Sequence, residues 1–68
     1  MIIERTAKQH GINCVVRNGK SSTRIYLSDG IGWAGAKILH SDTFSTKKIK
    51  MAFINRSLRN MCDRTNIE

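Results

Sequence analysis

The sequence predicts an α+β fold, a small two-layer sandwich with the order α-β-β-β-α, a three-stranded antiparallel meander and a long C-terminal helix. Three observations predict it. Segments of alternating apolar and polar residues flank Asn18-Gly19, the strongest short-range signal for a β-hairpin. Apolar residues recur at three- and four-residue spacing between Ile49 and Cys62, as on one side of a helix. Gly11 follows a short helical pattern, where glycine commonly caps a helix.

The first helix is predicted over residues 1–10, with Ile3 and Ala7 on its apolar side. Gly11 would end it in the left-handed conformation, which is sterically free for glycine. The segment Met1-Ile2-Ile3 could equally begin a strand.

A hairpin is predicted over residues 12–27. A two-residue turn at Asn18-Gly19, with both residues at positive φ, would pair Arg17 with Lys20 and Cys14 with Thr23, and also Ile12 with Ile25. Side-chain alternation then defines two faces. The core face would carry Ile12, Cys14, Val16, Ile25 and Leu27, and the opposite face Val15, Arg17, Lys20, Arg24 and Tyr26.

A third strand is predicted over residues 31–39, after a turn at Ser28-Asp29-Gly30. Ala34, Ala36 and Ile38 would face the helices, although the alanines would also suit a helix. The other alternation places Trp33 and Lys37 beside Tyr26 on the basic face.

The last helix is predicted over residues 45–63, with Ser45 as its N-cap and Phe44 packed on Ile49 as a hydrophobic staple. Residues 64–68 are expected to be a frayed tail. Lys48, Arg56 and Arg59 lie away from the apolar stripe, whose members are Met51, Ile54, Leu58, Met61 and Cys62.

Composition favours a single domain over residues 1–68 with an acidic partner. The 68 residues include 12 Lys and Arg against 5 Asp and Glu, a net charge of +7, and charge of this sign favours nucleic acid or an acidic protein surface. No apolar run approaches the roughly 20 residues that span a bilayer, and no signal-peptide pattern begins the chain. We therefore expect a cytoplasmic protein without membrane contact.

Two groups of residues are predicted to bind nucleic acid. Lys47, Lys48 and Lys50 stand at a helix start, where positive charge destabilises the helix unless an anion lies nearby. The open sheet face combines cations for phosphates with flat rings for bases, although such a face can also be merely solvated and Trp33 could belong to the core. Its candidate residues are Arg17, Lys20, Arg24, Tyr26, Trp33 and Lys37.

The run Ser45-Thr46-Lys47-Lys48-Ile49-Lys50-Met51-Ala52 resembles the start of the last helix in the double-stranded RNA-binding domain. The resemblance implies the same α-β-β-β-α fold and a phosphate-binding role for Lys47, Lys48 and Lys50. The family's Gly-Pro-His loop between the first two strands is absent here, so the resemblance does not supply its minor-groove contact. The hairpin is more distantly similar to HicA-type messenger-RNA-cleaving toxins, but the histidine expected after its Gly-Ser is missing, which argues against toxin activity.

The sequence offers little chemistry for catalysis. His40-Ser41-Asp42 is the only candidate acid-base pair, and a lone histidine before a helix is usually a surface or capping residue. Cys14 and Cys62 are too few for a zinc site and are expected to be reduced thiols. We therefore expect no enzyme activity, no catalytic residues, no metal and no cofactor.

The leading hypothesis is a small nucleic-acid-binding protein, with RNA favoured over DNA, that contacts backbone phosphates. The alternative is an inhibitor or adaptor, as compact phage and mobile-element proteins often are, that binds a host protein or its nucleic-acid site. The apolar surface around Ile49 and Phe53 on the C-terminal helix could then serve for docking or homodimerisation. A ribonuclease using His40 is a third reading. The physiological target and the strandedness of any nucleic acid stay open.

Overall fold

The computed structural model describes residues 2–65 and has the order helix, three strands, helix. The strands form one antiparallel sheet in the order β1-β2-β3. The predicted α+β fold with its meander and long C-terminal helix is therefore confirmed. Met1 and residues 66–68 of the predicted frayed tail lie outside the described residues, whereas residues 64–65 of that predicted tail belong to the last helix. The elements are α1 (Ile2–Gln9), β1 (Asn13–Asn18), β2 (Ser22–Ser28), β3 (Trp33–Leu39) and α2 (Phe44–Thr65).

Both helices cover the same face of the sheet and form one core with it. Ile25 and Leu27 of β2 and Ile54 of α2 are the largest fully buried side chains, and burial of each contributes about 1.5–3 kcal/mol. The predicted apolar stripe of α2 faces this core, and the opposite sheet face is open. The other buried core residues are Ile3, Ala7, Ile12, Ala34, Leu58 and Met61.

The end of α1 follows from Gly11, which has a φ of 70° as the sequence predicts. The Gly11 amide donates to Lys8 O at 3.2 Å and the Ile12 amide donates to Ala7 O at 2.8 Å. This pair of hydrogen bonds is the Schellman motif, and it satisfies two carbonyls that the helix end leaves free. The motif holds residues 10–12 outside the sheet, so β1 begins at Asn13.

The predicted two-residue turn is wrong. Asn18 pairs with Thr23 and Arg17 with Arg24, and neither Asn18 nor Gly19 has a positive φ. Residues 19–21 form the loop, and a 2.8 Å hydrogen bond from Gly19 N to Ser22 O closes it. The physical reason lies in α1: since its cap fixes the start of β1, a turn at Asn18-Gly19 would leave the end of β2 without a partner.

The predicted faces of the hairpin are nevertheless correct. The observed register differs from the predicted one by an even number of residues, so each side chain keeps its face. Ile12, Ile25 and Leu27 are buried, whereas Arg17 and Tyr26 are exposed. Lys20 is the exception, because it belongs to the loop and not to β2.

Asp29 organises the turn between β2 and β3. Its Oδ1 accepts hydrogen bonds from Ile31 N at 3.0 Å and Gly32 N at 2.8 Å, and Gly30 has a φ of 85°. These bonds hold Ile31 and Gly32 in the turn, so β3 begins at Trp33 and not at residue 31. As predicted, Ala34 faces the core.

The N-cap of α2 is Thr43, not Ser45. Thr43 Oγ1 accepts a hydrogen bond from Thr46 N at 3.2 Å, and Thr43 O accepts from Lys47 N at 3.0 Å. The helix therefore begins at Phe44 and includes Ser45 in its first turn. The predicted staple is also wrong, since the side chains of Phe44 and Ile49 are 82% and 70% exposed. Within residues 2–65, no helix is long and apolar enough to cross a membrane.

Candidate nucleic-acid interface

Three cationic side chains lie side by side across the open sheet face. Arg24 of β2 pairs with Arg17 of β1 and with Lys37 of β3, and all three are exposed. Hydrogen-bonded and non-hydrogen-bonded pairs alternate along an antiparallel ladder. Gly19 and Ser22 are hydrogen-bonded, so Asn18 and Thr23 are not, and Arg17 and Arg24 are again a hydrogen-bonded pair. Arg24 and Lys37 are then the closer, non-hydrogen-bonded kind, with Cα atoms about 4.5 Å apart. We call these three residues the cation row.

Within residues 2–65, the strands place no carboxylate on the open face beside the cation row. Like charges directly opposite each other in a sheet are destabilising, by a few tenths of a kcal/mol or more per pair. Repulsion within the cation row therefore lowers the stability of the sheet, and a bound anion would restore that stability. The other residues that the strands place on this face are Asn13, Val15, Ser22, Tyr26, Ser28, Trp33, Gly35 and Leu39.

Two aromatic side chains lie on the same face, in the next two rows. Tyr26 pairs with Gly35, and its ring lies so close over this glycine that a Cβ there would be 2.9 Å from Tyr26 Cδ1. The absence of a side chain at Gly35 thus lets the ring lie against the sheet, with 40% of Tyr26 exposed. Trp33, which pairs with Ser28 at the end of β3, is 75% exposed.

The three lysines predicted to bind phosphate at the start of α2 have different partners in the structure. Lys50 Nζ forms an ion pair with Asp42 Oδ2 at 2.6 Å and donates to Lys37 O at 2.9 Å. Lys47 Nζ donates to His40 O at 3.2 Å. Lys48 is exposed and makes no hydrogen bond or ion pair with the described residues. Two of the three lysines thus bind the loop before the helix, and Lys48 alone points freely to solvent.

Lys20 lies in the loop between β1 and β2, at the end of the sheet that carries the cation row. Arg17, Arg24, Gly19 of the loop and Ser22 at the start of β2 line a shallow depression there. The structure therefore brings together Arg17, Arg24, Lys37, Tyr26 and Trp33 on one surface, with Lys20 at its border, and leaves the lysines of α2 outside it.

The side chains of His40 and Asp42, the predicted acid-base pair, form no hydrogen bond with each other within residues 2–65. Asp42 Oδ2 accepts from Lys50 Nζ and from Leu39 N, the latter at 2.8 Å. The hydrogen bond from Lys50, followed by that from the Leu39 amide, lowers the pKa of Asp42. The His40 side chain makes no hydrogen bond with residues 2–65. Asp42 therefore acts as an anchor for the start of α2.

The two thiols are half-buried and unpaired with each other. Burial is the main cause that raises the pKa of both Cys14 and Cys62, so both favour the protonated form. Within residues 2–65, no three His, Cys, Asp or Glu side chains are grouped to hold a metal ion.

Comparisons of the chain with protein-family models, with curated proteins and with solved structures find no match. The resemblance to the double-stranded RNA-binding domain therefore stays a prediction. The fold and the surface define a small α+β protein with a cationic, aromatic sheet face.

The sequence did not reveal the structural roles of Gly35, Asp29 and Asp42. The signal for Gly35 was the register, because only the correct pairing places it beside Tyr26. For Asp29 the signal was its place in a Ser-Asp-Gly turn, since an Asp side chain there commonly accepts a hydrogen bond from the backbone amide two residues later. Asp42 has no such signal, because its carboxylate accepts from the amide of Leu39, three residues before it.

Proposed function

We propose that this protein binds single-stranded nucleic acid, with RNA as the expected type, on the open face of its sheet. The observation that carries the proposal is the cation row, three positive side chains in register, beside which the described strands place no carboxylate on the same face. A phosphate backbone crossing the strands would neutralise it. The preference for RNA over DNA rests on the resemblance of the α2 start alone.

The neighbouring rings support a single strand over a duplex. Tyr26 and Trp33 lie one and two rows from Arg24, and rows along a strand are about 7 Å apart. Bases of a single strand can turn toward such rings and stack, and one stacked base contributes about 1–3 kcal/mol. The paired bases of a duplex cannot do so.

A binding titration tests the proposal. Single-stranded RNA, single-stranded DNA and double-stranded RNA of equal length would be titrated at two salt concentrations. We expect the single strands to bind more tightly and the logarithm of affinity to fall linearly with the logarithm of salt concentration. Arg24→Gln should weaken binding and lower the salt slope by about 1, because it removes one phosphate contact.

Arg59→Gln is the matched control, because Arg59 is an exposed arginine on α2, away from the sheet face. Salt-insensitive binding, or equal losses in R24Q and R59Q, would refute the sheet face as the site. Tighter binding of double-stranded RNA, lost on Lys48→Glu, would instead support the mode that the resemblance implies.

A second candidate function is that of an inhibitor or adaptor that binds a host protein. The exposed apolar side chains of α2 favour it: Phe44, Ile49 and Phe53 all reach solvent, and apolar patches of this kind often mark protein contacts. Capture of one defined partner after nuclease treatment, lost on Phe53→Ser but kept on Arg24→Gln, would support it. A dimer in solution that F53S dissociates would instead assign this surface to self-association.

A further inference from the structure

The outer edge of β3 presents one row of backbone groups that no strand of this chain pairs. The His40 amide donates to Ser21 O at 2.9 Å and the Asp29 amide to Gly32 O at 3.3 Å. Because hydrogen-bonded pairs alternate in an antiparallel ladder, the even-numbered residues of β3 bond β2. The amides and carbonyls of Trp33, Gly35, Lys37 and Leu39 therefore point outward.

Half of this edge is closed by side chains. Lys50 Nζ donates to Lys37 O, and Asp42 Oδ2 accepts from Leu39 N. Asp42 N donates in turn to Leu39 O at 3.1 Å. The ion pair between Lys50 and Asp42 thus occupies the edge as a neighbouring strand would.

The other half of the edge is open. Both backbone groups of Trp33 and Gly35, and the amide of Lys37, have no hydrogen-bond partner among residues 2–65. Unpaired groups of this kind are a template for an added strand. Beside them runs a groove of about 310 Å³, whose opposite wall is formed by Ser57, Asn60, Met61 and Arg64 of α2.

We propose that this open half of β3 binds an extended, acidic peptide segment of a partner protein, which adds to the sheet as a fourth strand. Main-chain hydrogen bonds to Trp33 and Gly35 would hold it, as in other cases of strand addition. Alternate side chains of the segment would enter the groove beside Met61 and Ala34. The remaining side chains would lie on the open face near Lys37.

Charge complementarity decides the kind of segment. Lys37 lies at one end of the open half and carries a positive charge that no ion pair within residues 2–65 balances, whereas Arg64 and Asp29 at the other end neutralise each other in an ion pair of 2.7 Å. A second copy of the chain would bring its own charge of +7 to this edge, and like charges oppose such pairing. An acid-flanked strand is attracted instead.

A peptide with alternating residues tests this assignment. The probe is acetyl-EVTVTVE-amide, whose threonines would pair with Trp33 and Gly35 while its valines enter the groove. We expect amide exchange of Trp33 and Gly35 to slow on binding. Methylation of the threonine nitrogens, which point toward β3, should lower affinity by about tenfold or more, since each lost hydrogen bond removes about 1 kcal/mol. Methylation of the valine nitrogens, which point away, should change it little.

Substitutions in the groove of the protein give an independent test of peptide binding. Asn60→Trp should fill the groove and abolish binding, whereas Asn55→Trp, an exposed position of α2 that lines a different depression, should not. Arg24→Gln should leave peptide binding intact, so a failure of the nucleic-acid proposal is separable from a failure here.

Three results would overturn the assignment. Equal binding of both methylated peptides would mean that no strand is added. A peptide that carries Lys for Glu and binds as tightly would remove the charge argument. Protection of Trp33 and Gly35 in the free protein that rises with protein concentration would show a second copy at the edge.

Discussion

At the scale of single residues, Gly35 determines how the aromatic surface is presented. A Cβ on Gly35 would lie 2.9 Å from Tyr26 Cδ1, too close for the ring to keep its place, so the glycine acts through the tyrosine. Ring contact with a strand glycine is a known way of covering the backbone that glycine exposes. The exposed side of the ring is the surface that we expect a base to use.

Gly35→Ala should therefore displace the Tyr26 ring. Because the new Cβ would lie 2.9 Å from Tyr26 Cδ1 and 3.2 Å from Cε1, we expect the variant to be less stable than Gly32→Ala by about 1 kcal/mol or more. Urea unfolding measures the difference. Gly32 is the matched control, since a Cβ there meets nothing closer than 3.6 Å. Equal stabilities would show that the ring moves aside freely.

Arg24 is the centre of the cation row, so its replacement should have opposite effects on stability and on binding. Arg24→Gln removes two like-charged contacts, and we expect the free energy of unfolding to rise by about 0.2–1 kcal/mol. The same variant should bind single strands more weakly. A loss of stability at low salt would indicate that the row is not strained and that the face is merely solvated.

At the scale of elements, the start of α2 depends on Thr43. Its hydroxyl satisfies the Thr46 amide, one of the donors that a helix start leaves free. Asp42, the residue before it, binds Lys50 one turn and a half into the helix. The loop and the first turns of α2 are thus joined by side chains and not by apolar packing.

Thr43→Ala should cost about 1 kcal/mol of stability, because it removes the N-cap. Ser45→Ala, in the first turn, should lie within about 0.5 kcal/mol of the parent. Thermal or urea unfolding of the two variants compares them directly. A larger loss in S45A than in T43A would restore Ser45 as the cap.

The elements also show what the sequence can and cannot predict. The faces of β1, β2 and β3 followed from alternation, which is a local property. The turn at Asn18-Gly19 did not, because the cap at Gly11 fixes where β1 begins and thereby the register. The N-cap prediction was wrong for a similar reason: Ser is intrinsically a slightly better capping residue than Thr, but the path of the loop places Thr43 and not Ser45 at the helix start. The different partners of Lys47, Lys48 and Lys50 depend on where Asp42 and the backbone carbonyls lie in the fold. No local sequence pattern predicts those positions.

At the scale of the whole molecule, two carboxylates fasten the two ends of β3 to α2. Asp29 pairs with Arg64 at one end and Asp42 with Lys50 at the other. Backbone hydrogen bonds from Gly32 and Ile31 are the main cause that lowers the pKa of Asp29, and the hydrogen bond from Lys50 lowers that of Asp42.

The protein should therefore lose stability in acid. Both carboxyl groups have pKa values below the ordinary 3.8 in the folded state, so the folded state binds fewer protons than the unfolded state. The stabilisation is complete above pH 3.8, the ordinary pKa. It is lost as the pH falls from there through the lower pKa values of the folded state. Urea unfolding as a function of pH measures the effect, and Asp29→Asn should flatten the profile. Asp63→Asn, at an exposed site, should keep the profile of the parent; an unchanged profile in D29N would contradict the assignment.

The register of the hairpin, with its loop at residues 19–21, has a consequence for folding kinetics. The mispaired hairpin with a tight Asn18-Gly19 turn buries the same side chains as the native one, since the two registers differ by an even step. Local hydrophobic contacts therefore do not separate them. Long-range partners do: the cap of α1 at Gly11 and the pairing of β2 with β3. A hairpin formed before α1 has docked can take either register, and escape from the wrong one requires the strands to separate.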